Sequence, residues 1–219
     1  IGLGPEGIMS LCRRLAPPGP LDDSKVRYAL NGLVTYVATP RLEKPRKMLV
    51  RALVKATGQE KSPDVQAFLL SQVELSGKNE SVKPLRKYLL DPRLCAPAAR
   101  ALVTIGTPEA EAAILKSLGP APQTNKTALI NSLGELRSRK ATKKILPYTL
   151  SDDAILRGAA LFALANTGDA LAEPALKRAL LEAGPHDRGG AASLYLLYAR
   201  RLGESGNTAE TERICRAFI

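Results

Sequence analysis

Self-similarity at a period of about thirty residues restricts the fold of this sequence more than any other feature. Four stretches line up: DVQAFLLSQVELSGKNESVKPLRKYL at 64–89, LCAPAARALVTIGTPEAEAAILKSL at 94–118, KTALINSLGELRSRKATKKILPYTL at 126–150 and AILRGAALFALANTGDALAEPALKRAL at 154–180. Each holds an apolar run, a short break and a second apolar run that ends on a leucine. The breaks fall at Gly77, Gly106, Arg137-Ser138 and Gly168, and the three glycines fit helix C-caps where the backbone turns left-handed. The closing leucines Leu89, Leu118, Leu150 and Leu180 recur at intervals of 29, 32 and 30 residues. Four places earlier stand Leu85, Ile114, Leu146 and Leu176, and α-helical i, i+4 spacing puts both columns on one face of a second helix.

The first runs carry matching stripes, Ala98, Ala101, Leu102 and Ile105 in one and Leu156, Ala160, Leu161 and Leu164 in another. Ala99, Gly158 and Ala159 flank these stripes and predict a close approach by the next helix. Neither helix of a pair can bury its stripe alone, so the pairs must stack. No run alternates with period two, which removes the strand signal. Composition agrees: Ala and Leu fill the apolar positions, aromatic residues are 4% and Trp is absent. Small and γ-branched side chains suit stacked helices better than sheets. The expected fold class is all-α, an α-solenoid of stacked antiparallel helix pairs.

The whole of 1–219 is read as one array, with approximate units 22–58, 62–91, 92–119, 123–151, 152–183 and 187–219. The first unit pairs KVRYALNGLVTYVA (25–38) with KPRKMLVRALVKAT (44–57), and the last pairs a helix at 189–202 with one at 208–218 that closes on Phe218. Residues 6–15 close a still earlier unit, ahead of the turn Pro17-Pro18-Gly19-Pro20. A first residue Ile1 and a last residue Ile219 inside a helical pattern lead us to expect a piece of a longer chain.

The segment Asp153-Ala154-Ile155-Leu156-Arg157-Gly158-Ala159-Ala160, followed by Ala163-Leu164, Thr167-Gly168-Asp169 and Ala175-Leu176 to Leu180, resembles a HEAT repeat. Residues 94–118 match it nearly as well, with Thr107 in place of the turn aspartate, and 126–150 depart further, with Arg137-Ser138 where Gly-Asp is usual. Across 22–219 the chain is similar to bacterial HEAT-repeat domain proteins, some of them large and exported. That resemblance implies a right-handed superhelix whose second helices line a concave face that binds protein or nucleic acid, and an exported location. Likeness of fold alone names no ligand.

Enzymatic chemistry finds little material. HEAT-repeat hydroxylases hold two irons with several His-Glu dipeptides, whereas this chain has one histidine, His186, followed by Asp187 in a Gly/Pro-containing loop. HEAT-like DNA glycosylases set an acid beside Trp, which is missing, so Glu135 and Asp187 read as surface charge. No GxSxG and no phosphate loop occurs, and Gly2-Leu3-Gly4 is too short for a dinucleotide site. Cys12, Cys95 and Cys215 stand at unrelated spacings without CxxC, so they read as small buried apolar residues. No cofactor, metal or catalytic residue is expected. No apolar run approaches the ~18 residues of a membrane span.

The formal net charge of +11 asks for an account. Arg41, Lys44, Arg46, Lys47, Arg51, Lys55 and Lys61 crowd 41–61 against Glu43 and Glu60, and Arg137, Arg139, Lys140, Lys143 and Lys144 crowd 137–144. Between the two apolar columns of each second helix stands one position, occupied by Lys87, Lys116, Tyr148 and Arg178 and flanked by Arg86 and Lys177. Helical geometry turns it about 200° from the core columns, so stacking makes these residues a ladder on one exposed face. The plain reading is solvated surface. The functional reading is a binding face for an acidic protein surface or segment, or another polyanion. Nucleic acid is the less favoured polyanion, given few aromatics and the nearby Glu80, Glu109, Glu111 and Glu173. The expectation is therefore a non-catalytic scaffold for protein partners, with the non-catalytic arm of a larger enzyme as a further alternative.

Overall fold

The computed structural model describes residues 4–216, and among these every regular element is helical. The α-helices are α1 (Gly4–Cys12), α2 (Ser24–Val37), α3 (Glu43–Gln59), α4 (Pro63–Ser76), α5 (Val82–Leu85), α6 (Cys95–Ile105), α7 (Pro108–Ser117), α8 (Gln123–Glu135), α9 (Thr142–Ile145), α10 (Ala154–Thr167), α11 (Glu173–Glu182), α12 (Arg188–Glu204) and α13 (Thr208–Arg216). The class is all-α, of the α-solenoid type. The chain divides into two compact units, Ile1–Asn125 and Lys126–Ile219. Gly2-Leu3 and the expected helix end at Phe218 lie outside the described residues.

In the first unit α1 packs on α3, α2 and α3 on α4, α4 on α6, and α6 on α7 and the 3-10 segment Arg86–Leu90. Helix starts are written in the sequence. Ser62 and Thr107 cap α4 and α7, each ahead of a proline, with their hydroxyls accepting from the amides of Val65 and Ala110. Asp91 Oδ1 accepts from the amides of Arg93 and Leu94 ahead of α6. Leu30, Val34, Leu49, Leu53, Leu69, Val73, Ala98 and Leu102 form a core from which water is excluded.

One charged side chain sits in that core. Arg46, only 2% exposed, donates to Glu43 through Nε (3.0 Å) and Nη2 (2.8 Å), and through Nη1 to Glu80 Oε1 (2.6 Å) and to the carbonyl of Ser76 (2.8 Å). It ties α3 to the end of α4. The Arg46 and Lys78 hydrogen bonds hold the Glu43 carboxyl well below the usual carboxylate range. For Glu80 burial pushes upward, but the bond from Arg46 and backbone amides bring the net shift down.

In the second unit α10 packs on α12 and on the 3-10 segment Leu146–Leu150, and α12 on α11 and α13. Asp153 caps α10 with its Oδ1 accepting from the amides of Ile155 and Leu156. Asp169 accepts from Leu171 at the turn into α11. Buried Asn166 donates to the Gly134 carbonyl (2.8 Å) and accepts from Arg201 Nε (2.8 Å), linking α8, α10 and α12.

Four details correct the sequence reading. Gly106 and Gly168 are left-handed (φ 64° and 59°), but Gly77 is extended (φ −70°, ψ 148°). Gly77 is there for space: a Cβ would lie 2.6 Å from the Val73 carbonyl oxygen and 2.8 Å from Ser81 Oγ. The left-handed place after α8 is taken by Arg137 (φ 51°), with Ser138 N donating to Leu133 O and Arg137 N to Gly134 O in a Schellman closure.

The close helix approach assigned to Gly158 belongs elsewhere. Gly158 is exposed with open space around it, whereas a Cβ on Gly134 would lie 2.7 Å from Ala163 Cα. It is therefore Gly134 that lets α8 and α10 touch.

The fourth detail concerns register. Leu85, Leu89, Ile114, Leu118 and Leu176 are buried as expected and Leu180 is half-buried. In the helix ending at Leu150, however, Ile145 and Thr149 are buried, Leu146 is half-buried and Leu150 is 67% exposed. The helix is only four α-helical residues, α9, followed by a 3-10 turn. Its true counterpart of Leu85 is Ile145, and of Tyr88, Tyr148.

Candidate functional site

The 3-10 geometry changes which way the ladder residues point. At 120° per residue, i and i+3 eclipse, so Tyr88 swings under Leu85 and is buried, and Tyr148 under Ile145 is half-buried. Tyr148 is thus not a freely exposed rung: its ring takes the Lys126 ammonium 5.2 Å from its centroid.

In the first unit Arg86, Lys87 and Lys116 are all exposed, and two of them meet. Arg86 and Lys116 rim a groove of about 400 Å³ between the α5 segment and α7, with Lys83, Asn79 and Glu109 beside them and Val82, Ala112 and Ala113 as its floor. Lys87 leaves this group, its ammonium standing over the Tyr88 ring at 4.8 Å and facing Gly58 at the end of α3.

In the second unit Arg178 is half-buried and its Nη2 donates to Thr149 Oγ1 (3.4 Å). Lys177 is exposed and rims a separate groove of about 540 Å³ with Arg188 and Arg213, over Leu180, Leu181, Ala192 and Ile214. At its edge Glu173 Oε1 accepts from Tyr195 Oη (2.8 Å) and from Arg213. Burial, then the neighbouring Glu173, raise the Tyr195 phenol to about 12.

The basic run at 41–61 is sorted by the helix period. Arg46 turns inward, while Lys44, Lys47, Arg51 and Lys55 face outward from α3 along a groove shared with α1. Crowding in sequence gave no sign of this division; the spacing 44, 47, 51, 55 does, since it is a helical stripe.

Residues weighed for catalysis stay dispersed. His186 and Asp187 are exposed in the turn before α12, and Glu135 is exposed at the end of α8. Among the described residues no three His, Cys, Asp or Glu side chains gather as metal ligands would, and no helix is long and apolar enough to cross a membrane. Cys12 and Cys95 are buried and burial lifts each thiol to about 11; Cys215 is half-buried.

Solved structures similar to this chain include two of engineered proteins. One is 19% identical over 91% of this chain and 61% of its own, with a TM-score of 0.45. The other is 20% identical over 95% and 93%, with a TM-score of 0.43. The chain therefore spans 61% of the length of the first. No curated protein matches it. Residues 156–182, which are α10 and α11 with the Gly168-Asp169 turn between them, match the family model of the PBS lyase HEAT-like repeat. The α10–α11 pair is therefore similar to a HEAT-like repeat, set within an all-α chain of packed helices.

Proposed function

We propose that the chain is a non-catalytic scaffold that binds another protein, one with an acidic surface or segment, through the exposed faces of its second helices. The observation that supports this is the placing of Arg86 and Lys116, from successive second helices, on the rim of one groove with an apolar floor. Lys177, Arg188 and Arg213 rim a second groove of the same character. Cations over an apolar floor suit a polypeptide that offers both carboxylates and apolar side chains. HEAT-like repeats generally serve protein interaction, and such scaffolds are typically without catalysis. Arg86, Lys116 and Lys177 are the leading contact residues, with Arg178, Lys87 and Tyr148 at their margins.

Nucleic acid is the second reading, favoured by the net charge of +11. The test is retention on immobilised poly-L-glutamate, heparin and double-stranded DNA across a salt series, for the native chain and for the pairs Arg86→Glu/Lys116→Glu and Lys177→Glu/Arg178→Glu. Retention on polyglutamate that drops in either pair supports the proposal. Unchanged elution of both pairs sinks the site assignment. Tight DNA retention with a steep salt slope, outlasting polyglutamate, replaces the protein partner with nucleic acid.

A further inference from the structure

The groove between α1 and α3 is built differently from the other two, and it identifies its occupant more closely. It has a volume of about 450 Å³ and is lined by Pro5, Glu6 and Met9 from α1 and by Lys44, Lys47, Met48, Arg51, Ala52 and Lys55 from α3. The four cations stand at 44, 47, 51 and 55, a straight stripe that runs about 16 Å at 1.5 Å per residue. Among the described residues Lys44, Arg51 and Lys55 have no carboxylate partner, while Lys47 shares Glu43 (3.4 Å) with Arg46 and Lys78. Both methionines of the chain, Met9 and Met48, lie in this groove. Unbranched thioether side chains adapt to varied apolar shapes and are favoured where helices are received.

We infer that this groove receives an acidic amphipathic helix of a partner protein, with its carboxylates on the Lys44–Lys47–Arg51–Lys55 stripe and its apolar side chains over Met9, Met48 and Ala52. The inference rests on the second-helix reading above and names the partner's form. Charge decides for an acidic occupant: a second copy of a chain with net charge +11 is repelled. Chemistry decides for a helix over a polyphosphate. The groove offers no aromatic ring for a base, and its apolar floor matches side chains that a phosphate backbone does not carry. The stripe's α-helical spacing matches a helix whose acids recur at i, i+3 or i+4, and i+7.

The probe is a fluorescein-labelled peptide of about four turns, with glutamates at the matching spacing and leucines on the adjacent face. Binding is read by fluorescence anisotropy at about 0.15 M salt, beside a scrambled peptide of equal composition and an oligothymidylate as competitor. The matched peptide binds more tightly than the scrambled one. Lys44→Glu/Arg51→Glu weakens it about tenfold or more, and Met48→Gln, which keeps size and removes apolar character, about threefold. Arg86→Glu/Lys116→Glu leaves it within about twofold. All these side chains except Met48 are exposed, and circular dichroism checks that each variant keeps its helices.

Absent binding, equal binding of the scrambled peptide, or unchanged affinity in Lys44→Glu/Arg51→Glu overturns the inference. Loss confined to Arg86→Glu/Lys116→Glu overturns this groove while leaving the second-helix reading in place. Displacement by oligothymidylate at lower concentration than by unlabelled peptide makes the occupant a nucleic acid and overturns it as well. Failure of the peptide together with unchanged polyglutamate elution in all variants removes both readings.

Discussion

Replacing Arg46 by methionine is the most informative perturbation of this fold. The substitution keeps an unbranched chain of similar reach and removes the guanidinium with its four hydrogen bonds. What is left behind sets the size of the effect. Glu43 is 42% exposed and keeps Lys47 and Lys78, so it is rehydrated and re-paired at small cost. Glu80 is 30% exposed and keeps only backbone amides, and the Ser76 carbonyl loses a buried donor. Breaking a fully buried ion pair costs about 3–5 kcal/mol; with both carboxylates part-exposed we expect about 2–3 kcal/mol.

Urea denaturation followed by far-UV circular dichroism measures this loss, and hydrogen exchange localises it to α3 and α4. Glu80→Gln in the Arg46→Met background should recover about 1 kcal/mol, because it removes the stranded charge. The acid dependence follows from the sign of the shifts. Glu43 and Glu80 are both held below their ordinary values, so their contribution is complete above the unfolded value near ~4.3 and fades as pH falls toward the folded values. The gap between native and Arg46→Met chains should therefore narrow from neutral pH to about pH 3. A loss under about 0.5 kcal/mol, additivity of the two substitutions, or a gap that widens in acid would refute the reasoning.

Two further outcomes are expected. Gly77→Ala should cost about 1–3 kcal/mol through its contacts with Val73 and Ser81, and Gly106→Ala about 1 kcal/mol through its left-handed backbone alone; the reverse order in thermal denaturation would show that backbone conformation, not space, governs both turns. With a thiol reagent at pH 8, Cys215 should react quickly while Cys12 and Cys95, lifted to about 11 by burial, wait for unfolding; a second fast thiol in the folded chain would contradict that burial.

The helix pairs were legible because their signals are local. Thr107-Pro108 and Asp153 announce helix starts, Gly106 and Gly168 announce ends, and stripes such as Ala98, Ala101 and Leu102 announce the buried side. The register at Tyr148 is not legible in the sequence, because nothing there marks Leu146–Leu150 as 3-10 and the leucines at 146 and 150 make the wrong column apolar. The buried roles of Arg46, Asn166 and Gly134 are not legible for another reason. Their partners Glu80, Gly134 and Ala163 lie 29 to 34 residues away in the chain, so only the stacking of one pair on the next gives them meaning. Within the charge run at 41–61 the helical spacing itself separates inward Arg46 from outward Lys44, Lys47, Arg51 and Lys55.

The 3-10 endings at Arg86–Leu90 and Leu146–Leu150 are longer per residue than the α-helical turns before them. Each spans five residues that rise about 2.0 Å apiece where an α-helix would rise about 1.5 Å. Rewinding either segment into α-helix shortens that helix by about 2.5 Å and rotates Tyr88 or Tyr148 away from the core. The length of each of these two helices is thereby coupled to the packing of one tyrosine, buried at Tyr88 and half-buried at Tyr148.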